Sequence, residues 1–137
     1  MLEIKKATKK NFSEINKILN DLELTHKNQI MDNFILALKN DQIIGIGELT
    51  SYPNFFFLSS FGIIKEYQKK GYGKKFLRKI LAALNNPIYL YTIESNFFIA
   101  NGFTLTIAPE SLPPKNLFYC QNCQPDKCSV LKYPVKP

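Results

Sequence analysis

The feature that most limits the fold is a long apolar segment that runs directly into a basic turn containing two glycines. Residues 55–64, FFFLSSFGII, are the most apolar stretch of the chain, and EYQKKGYGKKF follows at residues 66–76. Beyond the turn, apolar residues recur at helical spacing, with basic residues on the opposite face. The apolar residues are Phe76, Leu77, Ile80, Leu81 and Leu84. This order predicts a buried central strand, a tight turn and an amphipathic helix leading to a strand at residues 88–93.

The flanking segments complete an α/β pattern. They predict a short first strand, a helix over about residues 11–24 with Asn11 as its N-cap, and a hairpin whose turn is Asn40–Asp41. A short helix follows in ESNFFIANGF, and two last strands lie in FTLTI and SVLKYPV. No repeat or linker interrupts residues 1–137, so we expect a single α/β domain in the order β-α-β-β-β-α-β-α-β-β.

Composition and charge narrow the function. The chain of 137 residues is 45% hydrophobic and 21% charged, which is ordinary for a globular protein. With no signal peptide or long apolar run, we expect a cytoplasmic protein that does not insert into membranes. The net charge of +7 favours an anionic partner: nucleic acid, a membrane surface or a phosphorylated cofactor. Nucleic acid is disfavoured, because the basic residues cluster at one turn and Arg78 is the only arginine.

The turn itself has two interpretations. Glycines at positions 71 and 73 leave the main chain accessible and permit positive φ, so successive amides at the start of the helix could converge on a phosphate. The helix dipole and nearby lysines would add positive potential. Alternatively, the segment is a solvated strand-to-helix turn with a basic face, and the residues alone leave both interpretations open.

The order of these elements resembles the acetyl-CoA-dependent N-acetyltransferase (GNAT) superfamily. The family pattern of Gln or Arg, two residues, Gly, one residue, then Gly or Ala is matched by Gln68, Gly71 and Gly73. The resemblance implies a mixed, largely antiparallel sheet flanked by helices, with acetyl-CoA as the acyl donor. It also implies that the amides of residues 69–74 hold the pyrophosphate of coenzyme A, and that the preceding strand binds the pantetheine arm. The cofactor-binding residues expected from it are Phe61, Ile63, Gln68, Lys69, Lys70, Gly71, Tyr72, Gly73, Lys74 and Phe98.

A second landmark is FFIANGF at residues 97–103. Members of the family often carry a tyrosine at the position of Phe98, where its hydroxyl protonates the departing thiolate. Phe98 has no hydroxyl, so the resemblance leaves it as an apolar wall for the pantetheine arm. The alternative is that Phe97, Phe98 and Phe103 are core residues.

The general base is less clear from the sequence. Relatives often place a glutamate at the position of Phe57, which cannot act as a base. Glu48 is therefore the catalytic candidate, with a surface carboxylate as its alternative interpretation. Weaker candidates are Glu94, which also suits a helix start, the hydroxyls of Ser59 and Ser60, and the only histidine, His26.

Residues 109–128 form a cysteine-containing loop. Cys120, Cys123 and Cys128 are one ligand short of a tetrahedral zinc site, so structural thiols, a metal site and a redox pair all stay open. This segment resembles the C-terminal part of amino-acid acetyltransferases of the N-acetylglutamate synthase type. That resemblance implies a small amine acceptor, such as an amino acid, whose pocket residues 109–128 would border.

Two functions follow as hypotheses. The first is an N-acetyltransferase in which a small-molecule amine attacks acetyl-CoA directly in a ternary complex. The second is a CoA-binding regulatory module with little or no catalysis. A sheet edge or the apolar C-terminal segment offers a surface for a homodimer in either case.

Overall fold

The computed structural model describes residues 2–25, 29–114 and 128–134. Its elements follow the predicted order, with short 3₁₀ turns added between them. The strands are β1 (Glu3–Lys6), β2 (Phe34–Lys39), β3 (Gln42–Ser51), β4 (Phe56–Ile63), β5 (Ile88–Thr92), β6 (Thr104–Leu105) and β7 (Ser129–Tyr133). The helices are α1 (Phe12–Asp21), α2 (Tyr72–Ala83) and α3 (Ser95–Ile99).

The described strands form one seven-stranded sheet in the order β1-β2-β3-β4-β5-β7-β6. Every described pair is antiparallel except β4 with β5, which is parallel. The α2 crossover explains this exception, since a helix that follows one strand returns the chain in the same direction. The predicted mixed, largely antiparallel sheet with the apolar strand at its centre is therefore confirmed.

The two longer helices pack on opposite faces of the sheet. Leu36 packs with the buried side of α1, whereas its neighbour Ala37 packs with α2. Because successive residues of a strand point to opposite faces, this alternation assigns one helix to each face. Each helix buries the apolar stripe seen in the sequence: Ile15, Ile18 and Leu19 in α1, and Phe76, Leu77, Ile80 and Leu81 in α2.

The local expectations had mixed outcomes. The hairpin is confirmed, because Asn40 and Asp41 both have positive φ (50° and 64°), as its two-residue turn requires. Asn11 is the N-cap residue of α1 as expected, but its side chain makes no capping bond to the helix: the carboxamide oxygen accepts a hydrogen bond from the Thr8 amide in a preceding 3₁₀ turn. The strand expected in FTLTI is limited to Thr104–Leu105.

Two irregularities near the middle of the sheet position the site. The β4–β5 ladder contains only the pairs Phe56–Ile88 and Phe57–Tyr89, so the rest of β4 extends beyond its parallel partner. We call this gap the β4–β5 opening. Beside it, the β3–β4 register shifts, because Ser60 and Phe61 together lie opposite Gly47 in a bulge. Within the described residues, no helix is long and apolar enough to cross a membrane.

Candidate functional site

The glycine-containing turn connects the end of β4 to the start of α2. The side-chain amide of Gln68 donates a 2.7 Å hydrogen bond to the carbonyl oxygen of Ile63, which ties the turn to the strand. Lys69 and Gly71 have positive φ (62° and 86°), so the backbone reverses sharply before α2 begins at Tyr72. Glycine adopts this conformation at position 71 without a steric cost. We call residues 68–74 the amide turn.

The amide turn leaves a series of main-chain donors without acceptors. The Lys75 amide bonds to the carbonyl of Gly71 at 3.2 Å and opens the α2 hydrogen-bond series. In the part of the chain that the structure describes, none of the amides of residues 69–74 donates a backbone hydrogen bond. Amides at a helix start that bend through positive-φ residues form a concave anion site, and the helix dipole adds partial positive charge.

A tyrosine pair and three lysines surround the amide turn. The rings of Tyr67 and Tyr72 pack edge to face with centroids 5.7 Å apart. The Lys39 ammonium lies over the Tyr72 ring, 5.3 Å from its centroid. Lys70 lies over Tyr67 and Lys75 over Tyr72. The hydrogen bond to Lys39, with the positive charges of Lys39, Lys75 and Lys70, lowers the pKa of Tyr72 below its ordinary value.

This pKa shift can be tested directly. Tyr72 should ionise at lower pH than a tyrosine in a model peptide, because the phenolate gains a hydrogen bond and three nearby cations. In Lys39→Met, the pKa of Tyr72 should move back up towards its ordinary value. Titration of ¹³Cζ-labelled tyrosine by NMR, with Tyr72→Phe to assign the resonance, measures this. An unchanged midpoint in Lys39→Met would contradict the assigned cause.

An aromatic wall connects the amide turn with the β4–β5 opening. Phe61 stacks on Phe76 at 5.2 Å and meets the edge of Phe98 at 6.0 Å. Phe97 reaches α2, where a methyl group placed on Gly73 would lie 3.6 Å from its ring. Phe98 and Phe103 are 6% and 1% exposed, which confirms them as core residues. The position expected from the resemblance to carry a thiolate-protonating group is therefore a buried hydrocarbon.

Glu48 lies on β3 beside the bulge and is 2% exposed. Its carboxylate accepts hydrogen bonds from the Ile30 amide at 2.9 Å and from the Ser59 hydroxyl at 3.3 Å. Glu48 and Ser59 are register partners and so share one face of the sheet. The interpretation of Glu48 as a surface carboxylate is therefore wrong. A buried carboxylate retained beside a strand irregularity is a candidate for a functional group.

Two tyrosines that the sequence analysis did not single out lie in the same region. Burial raises the pKa of Tyr52, and the charge of Glu48 raises it further. Burial also raises the pKa of Tyr91, whose hydroxyl donates to the Pro113 carbonyl at 2.9 Å. Phe57, 1% exposed, packs against the edge of the Tyr91 ring. The alternation of β5, in which Tyr89 and Tyr91 follow buried Ile88 and Leu90 in turn, was the signal that could have identified Tyr91.

The weaker candidates lie elsewhere or outside the described residues. Glu94 is exposed at the start of α3, which favours its interpretation as a helix-start charge. The Ser60 hydroxyl donates to the Leu24 carbonyl and accepts from Gln29, so it fastens the segment after α1 to the bulge. His26, Cys120 and Cys123 lie outside the described residues, and Cys128 is half-buried. Across residues 2–25, 29–114 and 128–134, no group of three potential ligands could hold a metal ion.

A groove of about 280 Å³ lies between α1 and the 3₁₀ turn at Lys65–Tyr67, away from Glu48 and the amide turn. Polar and apolar residues line it together: Glu14, Lys17, Asp21, Gln42, Lys65 and Glu66, with Ile18, Leu22, Ile43 and Ile64. None of the candidate site residues lines it. We therefore place the candidate site at the amide turn and the β4–β5 opening.

The central strand that leaves its parallel partner and the turn that follows it have the layout expected from the resemblance to acetyl-CoA-dependent N-acetyltransferases. Residues 3–103 match the model of the Acetyltransferase (GNAT) family. The chain belongs to this family. Acetyl-CoA is the acyl donor of the family, so the predicted donor is confirmed at that level. No curated protein sequence matches the chain.

Solved structures show the same fold at low sequence identity. N-acetylglutamate synthase from Neisseria gonorrhoeae, complexed with coenzyme A and N-acetyl-glutamate, is 14% identical with a TM-score of 0.76, covering 100% of this chain and 36% of that chain. The chain thus spans about a third of that protein. A ribosomal-protein alanine N-acetyltransferase from Escherichia coli is 11% identical with a TM-score of 0.70, and the match covers 100% of this chain and 96% of that chain. A GNAT-family acetyltransferase from Staphylococcus aureus is 21% identical (TM-score 0.68), with 99% and 100% covered.

Proposed function

We propose that this protein is an acetyl-CoA-dependent N-acetyltransferase that acts on a primary amine by direct attack in a ternary complex. The observation that carries the proposal is the run of amides from Lys69 to Lys74, which donate no backbone hydrogen bonds at the start of α2. These donors, with Lys70 and Lys74 beside them, match a pyrophosphate in charge and in hydrogen-bonding capacity. Gln68 supports the proposal by fixing the turn to the end of β4.

The strand preceding the turn supplies the second half of the cofactor site. Beyond Phe57, β4 has no ladder with β5, so its edge is available to an extended ligand that adds main-chain hydrogen bonds. Phe61 and Phe98 form an apolar wall beside it, suited to a pantetheine arm. When bound, acetyl-CoA would supply an activated thioester, and a main-chain amide near Ile63 would stabilise the developing charge on the thioester oxygen.

Glu48 is the proposed general base. The Ile30 amide and the Ser59 hydroxyl orient its carboxylate on the face of the sheet that also carries Phe57. From there it receives the proton of the attacking amine, directly or through a water held by Ser59. An α-amine has a pKa near 8 and a lysine side chain near 10.4, so an α-amine needs less help to lose its proton. This favours an amino acid or another small α-amine as the acceptor.

Two proteins with the same fold support the acceptor assignment. The fold is shared with a protein whose structure contains N-acetyl-glutamate and with one that modifies a ribosomal-protein alanine, at 14% and 11% identity. Both names involve amino acids, which is consistent with an α-amine acceptor. We propose a small amino acid as acceptor on this basis and on the resemblance of residues 109–128.

A second function is favoured by one observation. Phe57 and Phe98 occupy positions where relatives often place a base and an acid, and both are buried hydrocarbons. The protein would then be a CoA-binding regulatory module with little or no turnover. Turnover of acetyl-CoA decides between the module and the enzyme, because proximity alone also accelerates thioester aminolysis.

A test of coenzyme A binding distinguishes the two proposed functions from a turn that has only a structural role. At a concentration about a hundredfold above its Kd, CoA should stabilise the fold by roughly 2.7 kcal/mol and raise Tm by roughly 5–10 °C. Differential scanning fluorimetry measures the shift. No shift at millimolar CoA would contradict both functions. With binding established, thiol release from acetyl-CoA in a panel of amino acids, polyamines and peptides identifies the enzyme, and no release across the panel identifies the module.

A further inference from the structure

The two ends of the amide turn carry a pair of aromatic rings in contact. Tyr67 precedes the turn and Tyr72 begins α2, and their centroids are 5.7 Å apart in an edge-to-face arrangement. The four residues between them include two with positive φ, Lys69 and Gly71. For a lysine this conformation costs about 1–2 kcal/mol, so neighbouring contacts must hold it.

The β2–β3 hairpin reaches both rings. Lys39, the last residue of β2, lies 5.7 Å from the centroid of Tyr67 and 5.3 Å from that of Tyr72. Gln42, the first residue of β3, accepts a 3.3 Å hydrogen bond from the Tyr67 hydroxyl. Residues distant in sequence from the turn therefore contact it on both sides.

We propose that Lys39 is a positioning residue for the coenzyme A site, which acts by holding Tyr67 and Tyr72 together and so keeping the amide turn in its anion-binding shape. Lys39 contacts both rings at once, which neither Lys70 nor Lys75 is seen to do. Its ammonium lies over both rings, and its backbone is paired with Gln42 at the end of the β2–β3 hairpin. This proposal rests on the proposed function, because it concerns the same cofactor site.

Loss of Lys39 should lower the fraction of molecules in which the amide turn has its anion-binding shape. If the turn leaves its anion-binding shape part of the time, the apparent affinity for CoA falls by the fraction of time it is competent. Since Lys39 makes two exposed cation–π contacts, Lys39→Met should weaken CoA binding by about 5- to 30-fold. Lys39→Arg keeps a cation over both rings and should bind within about twofold of wild type.

Calorimetric titration of CoA into wild type, Lys39→Met, Lys39→Arg, Tyr72→Leu and the Lys39→Met/Tyr72→Leu double variant tests the proposal, with Tm of each variant as the folding control. If Lys39 acts through the ring, the double variant loses no more affinity than the weaker-binding single variant. Wild-type affinity in Lys39→Met overturns the proposal. The proposal is also overturned if the fold-losses of CoA affinity in the two single variants multiply in the double variant, because Lys39 would then contact a phosphate directly. Equal losses in Lys39→Arg and Lys39→Met also overturn it.

The outcome for wild type separates this inference from the proposed function. A wild-type protein that does not bind CoA overturns the proposed function and this proposal together. A wild-type protein that binds CoA, beside a folded Lys39→Met with unchanged affinity, overturns the role of Lys39 alone.

Discussion

Replacing Glu48 with glutamine should lower kcat for acetyl transfer by about 10²–10³-fold, the range expected for loss of a general base. Glutamine keeps the shape and one oxygen acceptor for the Ile30 amide or the Ser59 hydroxyl, so the segment after α1 should stay in place. The affinity for CoA should change by less than about twofold, since the carboxylate is remote from the amide turn. Steady-state kinetics with the best acceptor from the panel, and calorimetry with CoA, measure the two effects.

Glu94→Gln is the matched control for Glu48→Gln. Both substitutions remove one carboxylate charge, but Glu94 is exposed at the start of α3 whereas Glu48 is buried beside the bulge. Glu94→Gln should leave kcat unchanged. A full loss of activity in Glu94→Gln, with Glu48→Gln active, would reverse the assignment of the base.

Gly71→Ala should weaken CoA binding by roughly tenfold, because an alanine at φ 86° carries about 1–2 kcal/mol of strain. A methyl group at this position would meet no atom within 4 Å, so the effect comes from the backbone and not from a collision in the free protein. The turn relieves the strain by leaving its left-handed conformation, which moves the neighbouring amides. Calorimetry with CoA measures the loss, and the Tm change measures any cost to the fold.

Gly73→Ala is the control within the same turn. Position 73 lies inside α2 without a positive φ, and the added methyl group would make an ordinary contact with Phe97 at 3.6 Å. Since alanine favours a helix over glycine by up to about 1 kcal/mol, Gly73→Ala should be as stable as wild type or more so. Its CoA affinity should stay within about threefold of wild type. Equal losses in the two variants would argue that added bulk, and not backbone shape, limits binding.

The sequence predicted the order of elements because its local signals agree with the tertiary structure. The apolar run at residues 55–64 became the central strand, and the stripe beginning at Phe76 became the buried side of α2. The turn at Asn40–Asp41 had a residue pair suited to positive φ. Each of these depends on contacts between residues close in sequence, or on burial that the hydrophobic pattern already encodes.

The environment of the candidate base could not be predicted in the same way. Glu48 is buried because the Ile30 amide and the Ser59 hydroxyl satisfy its carboxylate, and both come from distant parts of the chain. The bulge at Ser60 and Phe61 also left no signal in a segment that reads as a regular apolar strand. The cation–π contact between Lys39 and Tyr72 joins residues 33 positions apart, and neither the hydrophobic pattern nor the motif spacing indicates it.

The β4–β5 opening divides the sheet into two panels, β1–β4 and β5–β7, which share only two ladder pairs of their own backbone. A ligand seated as proposed would add hydrogen bonds across this boundary and brace one panel against the other. Amide hydrogen exchange should then slow on β5 and β7 as well as on β4 when CoA binds, although β7 is two strands away from the amide turn. Bound CoA would thus hold the two parts of the sheet together, and the rigidity of the whole sheet would depend on how much CoA the cell supplies.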